Sequence, residues 1–213
     1  MDEAGWIAAS KAGDVQAFNQ LVIAYQQVVY SLALRMLRDQ EAAAEATQDA
    51  FLSAFTRIHQ FRGGSFKAWL LRIVLNLVYD QLRRAKRHPS QSLETACEDA
   101  DAAVLQITNG GPTPEEVALS RELMACLEMG LETLPAEQRA TVILSDLQGM
   151  GYEEVAAATG ASLGTVKSRL SRGRQAMREY LSGHLELLPS PIRHYFERGA
   201  PAEPVSPRVA VDR

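Results

Sequence analysis

Helical periodicity runs through almost the whole of this chain, and no stretch alternates apolar and polar residues as a half-buried strand must. The pattern predicts an all-α fold. Asp14 is placed to cap a long helix whose apolar positions include Ala17, Leu21, Ile23, Tyr25, Val28, Leu32 and Met36, and Asp39 to cap a second that runs to about Gln60. The sequence FRGGS, Phe61 to Ser65, then breaks the period with two glycines. Ser65 caps a third helix with apolar residues at Trp69, Leu70, Ile73, Leu77 and Val78, and Pro89 stops it.

From Pro89 to Pro112 the chain is rich in Ser, Thr, Gly and acid and carries no sustained apolar stripe, which reads as a linker, partly ordered at most. Thr113-Pro114-Glu115-Glu116 forms a capping box with proline at the first helical position. Further helices are expected over Pro114 to Thr133, Pro135 to Gln148, Tyr152 to Thr159 and Ser162 to Leu181. The reading is therefore two small helical domains, 1–88 and 113–183, joined by a linker at 89–112. An extension, 184–213, follows; it is proline-rich after Leu188, and its composition predicts a mobile terminus.

With 213 residues and a hydrophobic fraction of 46%, the chain can build real cores. It contains no apolar run near the roughly 18 residues that cross a bilayer and no signal-like leader at MDEAGWIAAS, so a cytoplasmic location is expected, without membrane insertion. Cys97 and Cys126 lack ligand or redox spacing and read as free thiols. His59, His88, His184 and His194 are scattered and no glycine-rich phosphate loop is present, so neither an enzyme nor a metal or cofactor is expected.

The formal net charge of -4 conceals where the charges lie. Between Phe66 and His88 the bases Lys67, Arg72, Arg83, Arg84, Lys86 and Arg87 meet the single acid Asp80; from 94 to 132 the charges are acidic apart from Arg121; from Leu163 to Tyr180 they turn basic again. Two cationic segments flank an acidic one.

The second cationic segment has the form of a helix-turn-helix, Tyr152 to Arg174. YEEVAAAT packs through Val155, Ala156 and Ala158 or Thr159; Gly160 suits the left-handed turn; Ser162 caps the second helix. On that helix Val166, Leu170, Gly173, Met177 and Leu181 form a narrow packing stripe, while Lys167, Ser168, Ser171, Arg172, Arg174 and Arg178 point elsewhere. Such a face suits a major groove, with cations for phosphate or guanine and hydroxyls for short hydrogen bonds. An ordinary solvated hairpin is the plainer alternative.

The first cationic segment, FRGGSFKAWLLRIVLNLVYDQLRRAKR, interleaves aromatic rings with arginines, the chemistry that stacks unpaired bases and pairs their phosphates. Phe66, Trp69 and Ile73 also read as plain core. Asn76, Asp80 and Arg83 recur at helical spacing on a polar face and read as a working surface.

WLLRIVLNLVYDQLRR together with LPAEQRATVILSDLQGMGYEEVAAATGASLGTVKSRLSRGR resembles the extracytoplasmic-function (ECF) class of bacterial RNA polymerase sigma factors, over roughly Asp14 to Leu181. The resemblance implies two helical domains, regions 2 and 4, that direct RNA polymerase to promoters. It implies that Gln48, Asp49, Phe51, Leu52 and Phe55, within QDAFLSAF, dock on the clamp helices of the polymerase β′ subunit, with region 4 meeting the β flap. It further implies that Phe61, Arg62, Ser65, Phe66, Trp69, Asn76, Asp80, Arg83 and Arg84 capture and hold the melted minus-10 strand. Thr165, Lys167, Ser168, Ser171 and Arg172 would read the minus-35 duplex, with Arg174 and Arg139 at phosphates. Core polymerase, promoter DNA and an anti-sigma factor are the implied partners. FRGGSF is slightly shorter than the corresponding loop of the class, and the tail beyond Leu188 has no counterpart in the two shared domains; LLPSPIRHYFERG is expected either to be disordered or to pack and regulate.

Two rivals stay open at this point. A helix-turn-helix regulator would bind duplex without polymerase but has no use for QDAFLSAF or the aromatic-basic helix; a helical adaptor would lack the steep salt dependence of phosphate contacts.

Overall fold

The computed structural model describes residues 2–87 and 114–188, and every α, 3-10 or π element among them is helical. The linker 89–112, the cap at Thr113 and the tail beyond Leu188 lie outside the described residues. The first helix, α1 (Glu3–Lys11), is an addition to the sequence reading; Asp2 caps it by accepting from the Gly5 N–H at 2.9 Å. Next come α2 (Val15–Leu37) and α3 (Gln40–Arg57), the latter extended by a 3-10 turn over Ile58–Gln60, and then α4 (Phe66–Arg87). The predicted caps are made. Asp14 accepts from Gln16 and Ala17 N–H, Asp39 from Ala42 N–H, and Ser65 from Ala68 N–H. Gly63 and Gly64 both have positive φ, 102° and 87°, a conformation that costs side-chain-bearing residues and is open to glycine.

The second group holds α5 (Pro114–Glu132), α6 (Ala136–Val142), α7 (Tyr152–Thr159) and α8 (Leu163–Ser182). The helix expected over Pro135 to Gln148 is realised as α6 followed by a π-helical segment, Ile143–Leu147, in which Gln148 N–H reaches back to the Ile143 carbonyl. A 3-10 turn at Leu185–Leu187 packs against α5, and Leu188 is buried.

Small residues set the helix spacing in the first group. Ala43, Ala46, Ala50 and Ala54, at helical spacing along α3, are fully buried, which lets α3 approach both α2 and α4. Ile23, read as a core position, is instead 62% exposed, because the core-facing stripe of α2 runs through Phe18, Leu21, Val29, Leu32 and Met36. The apolar core does not stop between the two groups of helices. It continues from Leu70, Leu71 and Val74 to Val142, Val155, Val166 and Leu170, and α4 lies directly against α7.

Candidate nucleic-acid interface

The helix-turn-helix forms as its sequence requires. Gly160 closes α7 in the left-handed conformation at φ 67°, and Ser162 Oγ accepts from the Thr165 N–H at 3.2 Å. Val166, Leu170 and Gly173 are buried against the group, leaving Lys167, Ser171 and Arg172 exposed and Thr165 and Ser168 half-buried. Gly173 is there for closeness: a Cβ on it would stand 2.7 Å from Val142 Cγ2. The outcome is a rigid helix with its cationic, hydroxyl-bearing face outward.

Two of the arginines are engaged within the protein. Arg174 forms a two-pronged pair with Asp146 of the π segment, Nε to Oδ2 at 2.9 Å and Nη2 to Oδ1 at 2.5 Å, and this bonding raises its pKa above the usual arginine value. Arg139, expected at phosphate, is half-buried and engaged with backbone carbonyls. Its guanidinium donates to the carbonyls of Leu131, Glu132, Leu134 and Met36, so it serves as a C-cap for α5 and a tie to α2, while burial draws its pKa down. Those acceptors belong to chain ends that only the fold brings together.

On the α4 surface the aromatic residues divide. Phe61 and Phe66 are 6% and 1% exposed and meet edge-to-face at 5.6 Å, with Trp69 tilted against both at 5.5 to 5.6 Å. The expectation that Phe61 and Phe66 hold a strand is therefore corrected: they are core residues that fix the half-buried Trp69. Lys11 also fastens the loop, donating from Nζ to the Phe61 carbonyl, while Arg62 is free in solvent and Ser65 is spent on its cap. Asn76, Asp80, Arg83 and Arg84 are all exposed along the C-terminal half of α4, with Arg83 paired to Asp80. Asn76, Asp80 and Arg83 border an open cleft of about 440 Å³ whose far wall is Ala136 and Glu137 of α6. Tyr79 lines the same cleft, and burial, with Glu137 adding to it, pushes its hydroxyl up to about 12.

The third candidate surface is on α3. Gln48 and Asp49 are exposed, Leu52 is 58% exposed and Phe55 36%, but Phe51 turns inward at 9%, which corrects its expected place at the surface. Phe55 stands edge-on to Phe18 with centroids 5.0 Å apart. The exposed apolar residues Val15 and Ile23 on α2 were missed in the sequence, because a helical period alone does not say which apolar residues the neighbouring helices leave uncovered.

Comparison with known proteins matches residues 21–88 to Sigma-70 region 2 and residues 124–177 to Sigma-70, region 4. The ECF RNA polymerase sigma factor SigE of Mycolicibacterium smegmatis is 38% identical over 168 residues, covering 79% of this chain and 63% of that protein, so the chain spans somewhat under two thirds of that relative's length. The ECF RNA polymerase sigma-E factor of Escherichia coli is 36% identical over 170 residues, covering 78% of this chain and 86% of that one. Among solved structures, the sigma factor RpoE of Bartonella quintana, crystallised with the anti-sigma factor NepR, superposes with a TM-score of 0.59 at 26% identity, over 78% of this chain and 98% of that one. CnrH, solved with the cytosolic domain of CnrY, shares the fold at a TM-score of 0.60 and 24% identity, over 84% and 96%. No helix among the described residues is long and apolar enough to cross a membrane.

Proposed function

This chain belongs to the ECF sigma factors of the sigma-70 family, which serve transcription initiation, and from that premise we propose that it reads a promoter in two physical forms. The α8 face, through Thr165, Lys167, Ser168, Ser171 and Arg172, reads the minus-35 element as duplex, and Arg174 reaches phosphate when it exchanges Asp146 for DNA. The α4 surface, through Arg62, Trp69, Asn76, Asp80, Arg83 and Arg84, holds the minus-10 element as a melted strand. The observation that carries the reading is the difference between these two faces: one a rigid capped helix dressed in cations and hydroxyls, the other a half-exposed indole on a buried aromatic cluster beside arginines. The first suits a groove. The second suits a base out of its stack.

Within this proposal residues 1–88 act as region 2, 113–183 as region 4, and 89–112 as the connection between them. Gln48, Asp49, Leu52 and Phe55 dock on the β′ clamp helices of core polymerase, and region 4 meets the β flap. No bond chemistry falls to the chain. Stacking and ionic contacts to unpaired bases offset an unstacking cost of a few kcal/mol per flipped base, and the polymerase makes the RNA. The protein works where polymerase does, in the cytoplasm, and a factor that silences it would be an anti-sigma protein of the kind bound to the Bartonella relative. Transcription in vitro with core polymerase on a promoter library tests the reading: initiation at a defined subset of promoters is expected, and initiation at none overturns it.

A further inference from the structure

The loop 61–65 runs from the 3-10 turn at Ile58–Gln60 to α4, beside the half-buried Trp69, and its middle is not packed. Arg62, Gly63 and Gly64 are exposed, and a Cβ placed on either glycine would meet no atom within 4 Å beyond its chain neighbours. With both glycines at positive φ in open space, the course of the loop is set by its two ends. One end is held locally: Ser65 caps α4, and its carbonyl accepts from the Trp69 N–H at 3.1 Å. The other end is held from a distance. The Phe61 carbonyl accepts from Nζ of Lys11, 50 residues earlier in the chain, at 2.5 Å. The same ammonium stands 5.3 Å from the centre of the Phe61 ring, which lies 5.6 Å from that of Trp69.

Lys11 can hold the loop because α1 is itself fixed. Trp6 and Ile7 pack on the core, Ser10 is buried with its Oγ donating to the Trp6 carbonyl at 2.7 Å, and the helix lies against α2 and the 3-10 turn. At its other end Glu3 accepts from the Tyr25 hydroxyl, whose ring is 5.6 Å from Phe66. A basic residue in the last turn of a helix ordinarily serves that helix's own carbonyls. Lys11 is spent on the loop instead. The residues matched to region 2 begin at 21, so that match does not extend to α1.

We propose that Lys11 is a positioning residue for minus-10 recognition: by tying the Phe61 carbonyl and ring to α1, it fixes the loop 61–65 relative to Trp69 and so decides which unpaired base is accepted there. The proposal rests on the reading of the α4 surface as the single-strand site. Stacking on an indole is open to every base, so selectivity has to come from hydrogen-bonding groups held at the edge of the base. A loop tipped by two glycines offers its backbone groups in one arrangement only while its ends hold still.

Hydrogen exchange on the full-length chain and strand selection by the holoenzyme test it together. In Lys11→Met, which keeps the stem and loses the donor, the amides of 61–65 should exchange about tenfold faster, the scale of one hydrogen bond to a charged group, with helix content unchanged. Lys11→Arg, which restores a donor, should return the wild-type rate. Offered a short single-stranded DNA of randomised sequence, the wild-type chain on core polymerase should enrich one base at the captured position. Lys11→Met should lower that enrichment by about the same tenfold and keep the wild-type salt slope. Unchanged exchange in the loop, or faster exchange with the base preference intact, overturns the proposal. So does the signature of a direct phosphate contact, in which every sequence is weakened alike and the salt slope is shallower by about 0.7. A wild-type holoenzyme that ignores the single strand altogether sinks the two-surface reading and the recognition role with it, leaving only the Lys11 tie that exchange measures.

Discussion

The two helical groups solve the same packing problem with different residues. In the first, long helices approach over an alanine seam, Ala43, Ala46, Ala50 and Ala54, and a large aromatic cluster around Phe66 fills what remains. In the second, the helices meet over glycines: Gly173 lies against Val142, and Gly130 lies so near Met177 and Tyr180 that a Cβ would come within 3.0 Å of each. The difference teaches where each group is vulnerable. The first has volume to lose, and the second has no volume to gain.

The comparison breaks if those sensitivities are not found. Phe66→Ala is expected to have the largest effect, about 3–5 kcal/mol of lost stability, because it empties the centre of a buried cluster; thermal or urea unfolding measures it. Gly173→Val should cost about 1–3 kcal/mol by overpacking on Val142, whereas valine at exposed Ala85 of α4 should cost well under that. Equal losses at the two sites would refute the claim that glycine is required for closeness.

Arg139→Ala sharpens the contrast from the side of polar bonding. Removing its donors from carbonyls at the end of α5 should cost about 2 kcal/mol in unfolding experiments. The folded variant should bind duplex DNA with the wild-type salt slope. A slope shallower by about one would return Arg139 to the phosphate contacts. The smallest stability change belongs to Arg172→Ala, which is exposed and should melt within about 0.5 kcal/mol of wild type. It should nonetheless weaken minus-35 duplex binding and leave affinity for core polymerase intact, which fluorescence anisotropy and pull-down read separately.

Much of the fold was legible because its signals are local. Asp14, Asp39, Ser65 and Ser162 each cap the helix that their position announced, and Gly160 makes the turn that the helix-turn-helix needs. The site was legible where exposure follows from periodicity, as for Lys167, Ser171 and Arg172 opposite Val166 and Leu170. It was not legible where a side chain's fate depends on a distant partner. Phe51 and Phe61 carry the same residue type as the half-exposed Phe55, yet they are buried, because the helices that cover them come from elsewhere in the chain. Asp146 claiming Arg174 joins two residues with a helix-turn-helix between them.

By itself the sequence determined the helical class, the caps and turns that bound most elements, the outward face of α8 and the family to which these patterns belong, since each depends on residues within a turn or two of one another. The tertiary structure decided which aromatic rings are core, that half-buried Arg139 donates to carbonyls of α5 and α2, and that α4 lies against α7 while Arg38, at φ 61°, pairs with Glu128 and Glu132 of α5. These are contacts between residues far apart in the chain, and burial and charge pairing at such distances are fixed only when the packed helices bring the partners together.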